Sequence, residues 1–411
     1  MSEAQAAGEY KLLSEVVTPV NEKVTAAKDP GKPYVGLENI PSRGSHLLSW
    51  EMAESSISTN SVFAAGDVLF GKLRPNLRKC VAAPFDGYCS TDVLVLRAKE
   101  SIAPEFAVRA LQSEEVGAAA ERSAIGTKMP RTAWEHLSKF AVFCPEITEQ
   151  RKVAAILDSL DRAILKTEAI AEKLKQLKQG LLHDLLTRGV DANGELRPGR
   201  EEAPGLYERS TLGWIPKVWT AKPLGDSIHL VSGQHIATEL CNSAGKGVPY
   251  FTGPSDFSGA TTVVTAYTTH PQVMCEKGDL LITVKGSGCG KVALAGARAC
   301  ISRQLMAIRV SEKTRPYWLA VLQSLQEQFN RMATGGNIPG IGRDQILGLV
   351  CLTPNNAEEM EAIGDQIQAM DTRLRIETTQ LGKLRVQKNG LMDDLLTGRR
   401  RVAPLLEAST P

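Results

Sequence analysis

Aromatic side chains are scarce in this 411-residue chain, at 5%. That argues against a protein that holds single-stranded bases by stacking, because such readers line their grooves with aromatic rings. Paired cysteines are missing as well. Cys80, Cys89, Cys144, Cys241, Cys275, Cys289, Cys300 and Cys351 are scattered with no Cys-x-x-Cys among them, and the six histidines supply no His-x-x-x-His. The closely spaced ligand pairs of a zinc site are therefore not there, and the cysteines read as small buried hydrophobes in a reducing compartment. No apolar run approaches the roughly 20 residues that span a bilayer. Met1 to Lys11 is polar and mixed in charge, unlike a signal or transit peptide, so the cytoplasm is the expected location. Neither sign of charge dominates: 48 basic and 46 acidic residues leave +2. A nucleic-acid binder with this balance must work through local basic patches.

A hydrophobic content of 43% is enough for real cores, and the length predicts two or three domains. The chain repeats itself. GDVLFGKL at Gly66 matches GDLLITVK at Gly278, MPRTAWEHL around Pro130 matches IPGIGRDQI around Pro339, and Pro145 aligns with Pro354. GLLHDLLTRG from Gly180 matches GLMDDLLTGR from Gly390. Two copies of one unit follow, each with a globular part first and a helix second.

The helices are the clearest elements. From Glu149 to Thr187 there is no Pro and only one Gly. Val153, Leu157, Leu160, Ile164, Thr167, Ala171, Leu174, Lys178, Leu181 and Leu185 recur in steps of four and three, which is a heptad seam. The second copy gives Ile363, Ile367, Met370, Leu374, Glu377, Leu381, Leu384, Lys388, Leu391 and Leu395. Both seams are polar at the same places. Each helix would span about 58 Å at ~1.5 Å per residue. Two matched seams in one chain predict an intramolecular antiparallel coiled coil across a pseudo-twofold axis, with packing on each globular part or on another chain as the alternatives.

The globular parts read as mixed α/β. Strands are expected at Val68–Phe70, Val93–Arg97, Phe140–Phe143, Leu280–Val284, Met306–Val310 and Leu349–Leu352, and helices at Pro104–Gln112 and Pro316–Arg331. The predicted boundaries are 1–148 and 213–356 for the globular parts, 149–189 and 357–400 for the helical regions, 190–212 for a Gly-, Pro- and charge-rich surface linker, and 401–411 for a frayed tail. Residues 1–148 carry 16 basic and 18 acidic side chains, and residues 213–356 carry 13 and 8.

Three stretches could carry chemistry. In GDVLFGKLRPNLRK a strand leads into Lys72, Arg74, Arg78 and Lys79 with no acid among them, suiting phosphate or base-edge contact. In GTKMPR, Gly126 and Pro130 set off Lys128 and the following Arg131 in a short basic loop. Its counterpart, GGNIPG, has no cation but offers Asn337, a side chain able to pair with adenine. A solvated loop and a structural turn are the plain alternatives. The third stretch, TVKGSGCGK, imitates a phosphate loop but puts Lys285 where a Walker A motif needs Gly and Val292 where it needs Ser or Thr. It reads instead as a flexible loop offering Lys285, Lys291 and backbone N–H groups. Arg303 and Arg343 complete the candidate DNA-binding set of the second copy. No Asn/Asp-Pro-Pro-Tyr/Phe motif, Gly-x-Ser-x-Gly elbow or metal cluster accompanies these loops.

Taken in order, YVGLENI at Tyr34, GDVLFGKLRPNLRK, STDVLVLRA at Ser90, EQRKVAAILDSLDRAI at Glu149, LLHDLLTRGVDANGELR at Leu181 and LGWIPKVW at Leu212 resemble the specificity subunit of type I restriction–modification systems. The resemblance covers nearly the whole chain. It implies two target-recognition domains and two helical regions. It also implies duplex DNA as ligand with a bipartite target, two methyltransferase subunits carrying S-adenosylmethionine, and a restriction translocase that uses ATP. No cofactor is expected on this chain and no catalysis by it. Half-sites read from one face lie about one helical turn, ~34 Å, apart. The second copy departs from the pattern, with Gly-Ser-Gly-Cys where the first has Lys-Leu-Arg-Pro. A coiled-coil adaptor that does not bind DNA, or an enzyme with an unrecognised site, are the competing expectations.

Overall fold

The structure, a computed structural model, describes residues 9–25, 31–53, 59–286, 288–333 and 339–402. It divides into two compact units, 1–169 with 378–411, and 170–377.

The first unit opens with β1 (Glu9–Leu12) and β2 (Val17–Pro19) and continues to β3 (Val68–Gly71), β4 (Cys80–Ala82) and β5 (Val93–Ala98). Helices α1 (Pro104–Leu111) and α2 (Glu114–Arg122) follow, then β6 (Ala141–Cys144) and the long α3 (Ile147–Thr187). The main sheet has the order β2-β5-β3-β4, all antiparallel. A second, five-stranded sheet is ordered Lys23–Thr25, Thr59–Phe63, Gly87–Ser90, Pro33–Val35, Glu51–Met52. Successive side chains of a strand point to opposite faces, and β3 divides its residues accordingly. Val68 and Phe70 enter one core with α1, α3 and the end of the second long helix, while Leu69 enters another with Phe63 and Val81. Burial on both faces explains why the strand reads as an unbroken apolar run.

The second unit repeats this plan. Its elements are β7 (Trp219–Pro223), β8 (His229–Ser232), β9 (Leu280–Thr283), β10 (Val292–Leu294), β11 (Leu305–Arg309), α4 (Arg315–Ser324), α5 (Gln326–Met332), β12 (Val350–Pro354) and the long α6 (Ala357–Leu396). The sheet order β8-β11-β9-β10 copies β2-β5-β3-β4, extended by Thr261–Thr262 and Phe257–Ser258. Val68 is answered by Leu280, Cys80 by Val292 and Arg97 by Arg309, an offset of 212 residues. An ion pair on a buried aspartate repeats at this offset: Arg97 with Asp67 at 2.7 Å, and Arg309 with Asp279 at 3.1 Å. The helix expected over Pro316–Arg331 breaks at Leu325 into α4 and α5.

All ten residues of each seam are buried or half-buried, including Leu157, Leu160, Ile164, Leu174 and Leu181 on α3 and Ile367, Met370, Leu374, Leu384 and Leu391 on α6. In the first unit, Glu168 pairs with Arg385, Asp161 with Lys388 and Glu149 with Arg401, so one index rises as the other falls and the helices are antiparallel. In the second unit Lys178 pairs with Asp371 in the same sense. The lysines that made both seams polar thus each find an aspartate of the facing helix, and the two pairs are copies of one another.

Each long helix is also clasped at its start. Buried Glu149 accepts hydrogen bonds from Arg401 and from the Val402 amide at 2.9 Å. Glu359, its counterpart, accepts from the Val190 amide at 3.2 Å, from Trp219 Nε1 at 2.9 Å and from Arg197 Nη2 at 2.9 Å. The stretch expected as a surface linker is accordingly tied down, and its end forms the first strand of a hairpin, Tyr207–Ser210, paired with Gly213–Pro216 of the domain that follows. The tail expectation falls mostly outside the described residues, but Arg401 and Val402 are anchored.

All the cysteines except half-exposed Cys241 are buried, and all eight are free. Burial pushes the Cys89 thiol up to about 12 and the Cys275 thiol to about 11, so both are neutral fillers at physiological pH.

Candidate nucleic-acid interface

In each unit backbone hydrogen bonds join the described parts of the two candidate loops, which in the second unit begin at Pro339 on the later loop. In the first, β3 runs into residues 72–79, and this loop is zipped to residues 125–132. The Arg74 amide donates to Pro130 O at 2.7 Å, the Thr132 amide to Lys72 O at 3.0 Å, and the Lys72 amide to Asp92 O at 3.0 Å. In the second, β9 runs into residues 284–291. The Gly286 amide donates to Pro339 O at 2.9 Å, the Ile341 amide to Val284 O at 3.0 Å, and the Val284 amide to Gln304 O at 2.8 Å. Residues at positions 92, 130 and 132 of one copy are replaced by those at 304, 339 and 341 of the other, with the hydrogen bonding kept. Backbone pairing of this kind holds a loop without needing particular side chains, which is why it survives while the sequence changes.

The side chains differ in what they do. Lys72 is half-buried, Arg74 and Lys128 are exposed, and none of the three has a side-chain partner among the described residues. Lys285, Lys291 and Arg303 are exposed in the second unit and also lack one. Arg78 and Lys79 were expected to face DNA, but both are turned inward. Arg78 pairs with Glu114 at 2.9 Å and Glu121 at 3.0 Å and is only 12% exposed. Lys79 donates to Leu37 O at 2.6 Å. Arg343 is exposed and donates to Leu230 O at 2.6 Å. Arg131 stays exposed but shares its charge with Asp92 at 3.0 Å, whose carboxylate holds the guanidinium pKa up. The Glu114 carboxyl is pushed below its ordinary value, first by its hydrogen bond from Arg43 and also by Arg78. Asn337 lies outside the described residues.

The model of the type I restriction modification DNA specificity domain matches residues 27–178 and 216–385. The chain belongs to this family. Among curated proteins it is 25% identical, over 82% of its length and 79% of the relative's, to a protein of Methanocaldococcus jannaschii assigned as the MjaX specificity subunit of a type I restriction enzyme. The MjaVIII specificity subunit from the same organism is 21% identical, over 68% of this chain and 67% of that one. Among solved structures, the S subunit of a type I restriction–modification system from M. genitalium superposes with a TM-score of 0.62 at 15% identity, covering 96% of this chain and 98% of that one. A chain from a study of complex assembly in the type I R-M system gives 0.58 at 21%, covering 96% and 99%. These likenesses establish the fold: two mixed α/β domains and two long antiparallel helices.

Within this specificity-domain protein, the acids that neutralise Arg78 and Arg131 were the part missed from sequence. Glu114, Glu121 and Asp92 lie 36, 43 and 39 positions from their partners, beyond the reach of local pattern. The repeat did hold one usable signal. At the 212-residue offset Arg78 falls on Gly290, so a cation in one copy stands where the other has no side chain.

Proposed function

We propose that this chain is the DNA-specificity subunit of a type I restriction–modification complex, reading duplex DNA at a bipartite site with one half-site for each domain. The observation that carries the reading is the duplicated pair of zipped loops, which carry or adjoin cations with no side-chain partner among the described residues: Lys72, Arg74 and Lys128 in one copy, Lys285, Lys291 and Arg303 in the other. An unpaired cation on a hydrogen-bonded loop can neutralise a phosphate or reach a base edge. Arg78 is set apart from these because Glu114 and Glu121 pair with its charge inside the fold, while Lys79 and Arg343 are each tethered by a hydrogen bond to a backbone carbonyl. The chain itself catalyses nothing and binds no cofactor in this reading. Two methyltransferase subunits supply S-adenosylmethionine chemistry, a restriction translocase supplies ATP-driven steps, and the complex works in the cytoplasm. Among the described residues no helix is long and apolar enough to cross a membrane.

Modified-base sequencing tests this. DNA from cells expressing the chain with its methyltransferase partner should carry a gapped adenine-methylation motif that vanishes when the chain is omitted. Methylation that is absent, or the same without the chain, would refute the reading.

A further inference from the structure

Among the described residues, three that are not glycine take a left-handed backbone conformation, and all three are arginines: Arg43 (φ 55°), Arg74 (φ 51°) and Arg78 (φ 54°). Side chains pay sterically for that conformation, which glycine adopts freely. Where a costly backbone geometry persists, the side chain placed there usually has work to do. For two of the three that work is inside the protein. Arg43 pairs with Glu114 at 2.7 Å, and Arg78 pairs with Glu114 and Glu121.

The internal repeat supplies the comparison. At the 212-residue offset Arg74 and Arg78 fall on Gly286 (φ 85°) and Gly290 (φ 79°), so the loop needs left-handed residues at both places in both copies. The exchange at the second place is compensated. A Cβ on Gly290 would come within 2.7 Å of the Phe329 Cβ, whereas at the corresponding position of the first copy Gly117 leaves its space to the Arg78 guanidinium. Arginine over glycine in one copy is answered by glycine under phenylalanine in the other, and packing accounts for both. The exchange at the first place has no such account. Arg74 is exposed with no side-chain partner among the described residues, and a Cβ on Gly286 would meet nothing within 4 Å. Nothing in the fold asks for a side chain there.

Resting on the DNA-specificity reading, we propose that Arg74 determines specificity in the first half-site by pairing with the O6 and N7 edge of a guanine, and that the second domain, with Gly286, has no equivalent contact. A guanidinium fork makes that bidentate contact better than any other side chain. A phosphate contact would not need this arrangement, since Lys72 and Lys128 offer charge nearby from unstrained backbone. A base edge does need it, because the reading group must sit in one register. The bond from the Arg74 amide to Pro130 O and the one from the Leu77 amide to Arg74 O, at 2.7 and 2.9 Å, fix the base of the side chain.

The informative variant is Arg74→Gly, because glycine suits the backbone and removes only the side chain. In the assembled complex the wild type should give a gapped motif with a fixed G·C pair in one half-site. Arg74→Gly should lower discrimination at that pair by about 10- to 100-fold, the equivalent of losing one bidentate contact. It should leave the other half-site unchanged and not lower the melting temperature. An unchanged motif, or methylation that falls equally at every sequence, would overturn the proposal while leaving the DNA-specificity reading in place. A wild type with no gapped motif would overturn both.

Discussion

Arg78 and Lys72 stand six residues apart in one loop and should respond to mutation in opposite ways. Arg78 has its guanidinium between two carboxylates and is nearly buried. Arg78→Ala should cost on the order of 2 kcal/mol of stability, the scale of hydrogen bonds to charged groups. Lys72→Ala should leave stability alone and instead reduce the salt slope of DNA binding by about one phosphate contact. Thermal unfolding and binding of the assembled complex across a salt series separate the two. A stability loss in Lys72→Ala, or none in Arg78→Ala, would reverse the assignment. The sequence displayed four cations in this loop as equivalent. They differ because Glu114, Glu121 and the Leu37 carbonyl arrive from other segments, and tertiary contacts of that separation leave no periodic trace.

At the scale of elements, the long helices were readable because a heptad is a local pattern that a single chain displays in full. Even the polar interruptions, Lys178 and Lys388, were visible. Their partners, Asp371 and Asp161, were not singled out, since pairing depends on the antiparallel register of two segments about 210 residues apart. The two aspartates are copies of one position in different surroundings. Asp161 is 3% exposed and lies between Lys388 and Arg109, both largely buried. The copy at Asp371 is 48% exposed and pairs with Lys178, while Val321 replaces Arg109. Removing one member of a buried cluster leaves its partners' charges uncompensated, at about 3–5 kcal/mol. An exposed pair is worth less than about 1 kcal/mol. Asp161→Ala should therefore destabilise the first unit severely, and Asp371→Ala should barely affect the second. Hydrogen exchange on α1 and α4 reads the two units separately, and equal effects would mean that burial does not set the difference.

At the scale of the whole molecule, the repeat predicts two domains, yet neither compact unit coincides with one repeat: the first joins 1–169 to 378–411, and the second, 170–377, begins inside α3 and ends inside α6. The first unit's core contains Leu395, Leu396 and Val402 beside Val68, Phe106 and Leu157. The second contains Leu185 and Val190 beside Trp219, Leu280 and Ile367. Each globular part is completed by the far end of the helix that belongs to the other repeat, and Glu149 and Glu359 clasp those ends. Sequence order hides this, because boundaries drawn at composition shifts cut the chain into consecutive pieces. Deleting residues 391–411 should consequently damage the domain at the opposite end of the sequence. It strips apolar side chains from the core around β3 and α1 and leaves Glu149 buried without Arg401, two of the costliest kinds of change. Amide exchange should accelerate in β3, β5 and α1, while β9 and β11 keep their protection because their own core is intact. Faster exchange confined to α6 would instead mean that the first domain holds its core without the returning helix, and that the helix ends are attachments to the fold rather than parts of it.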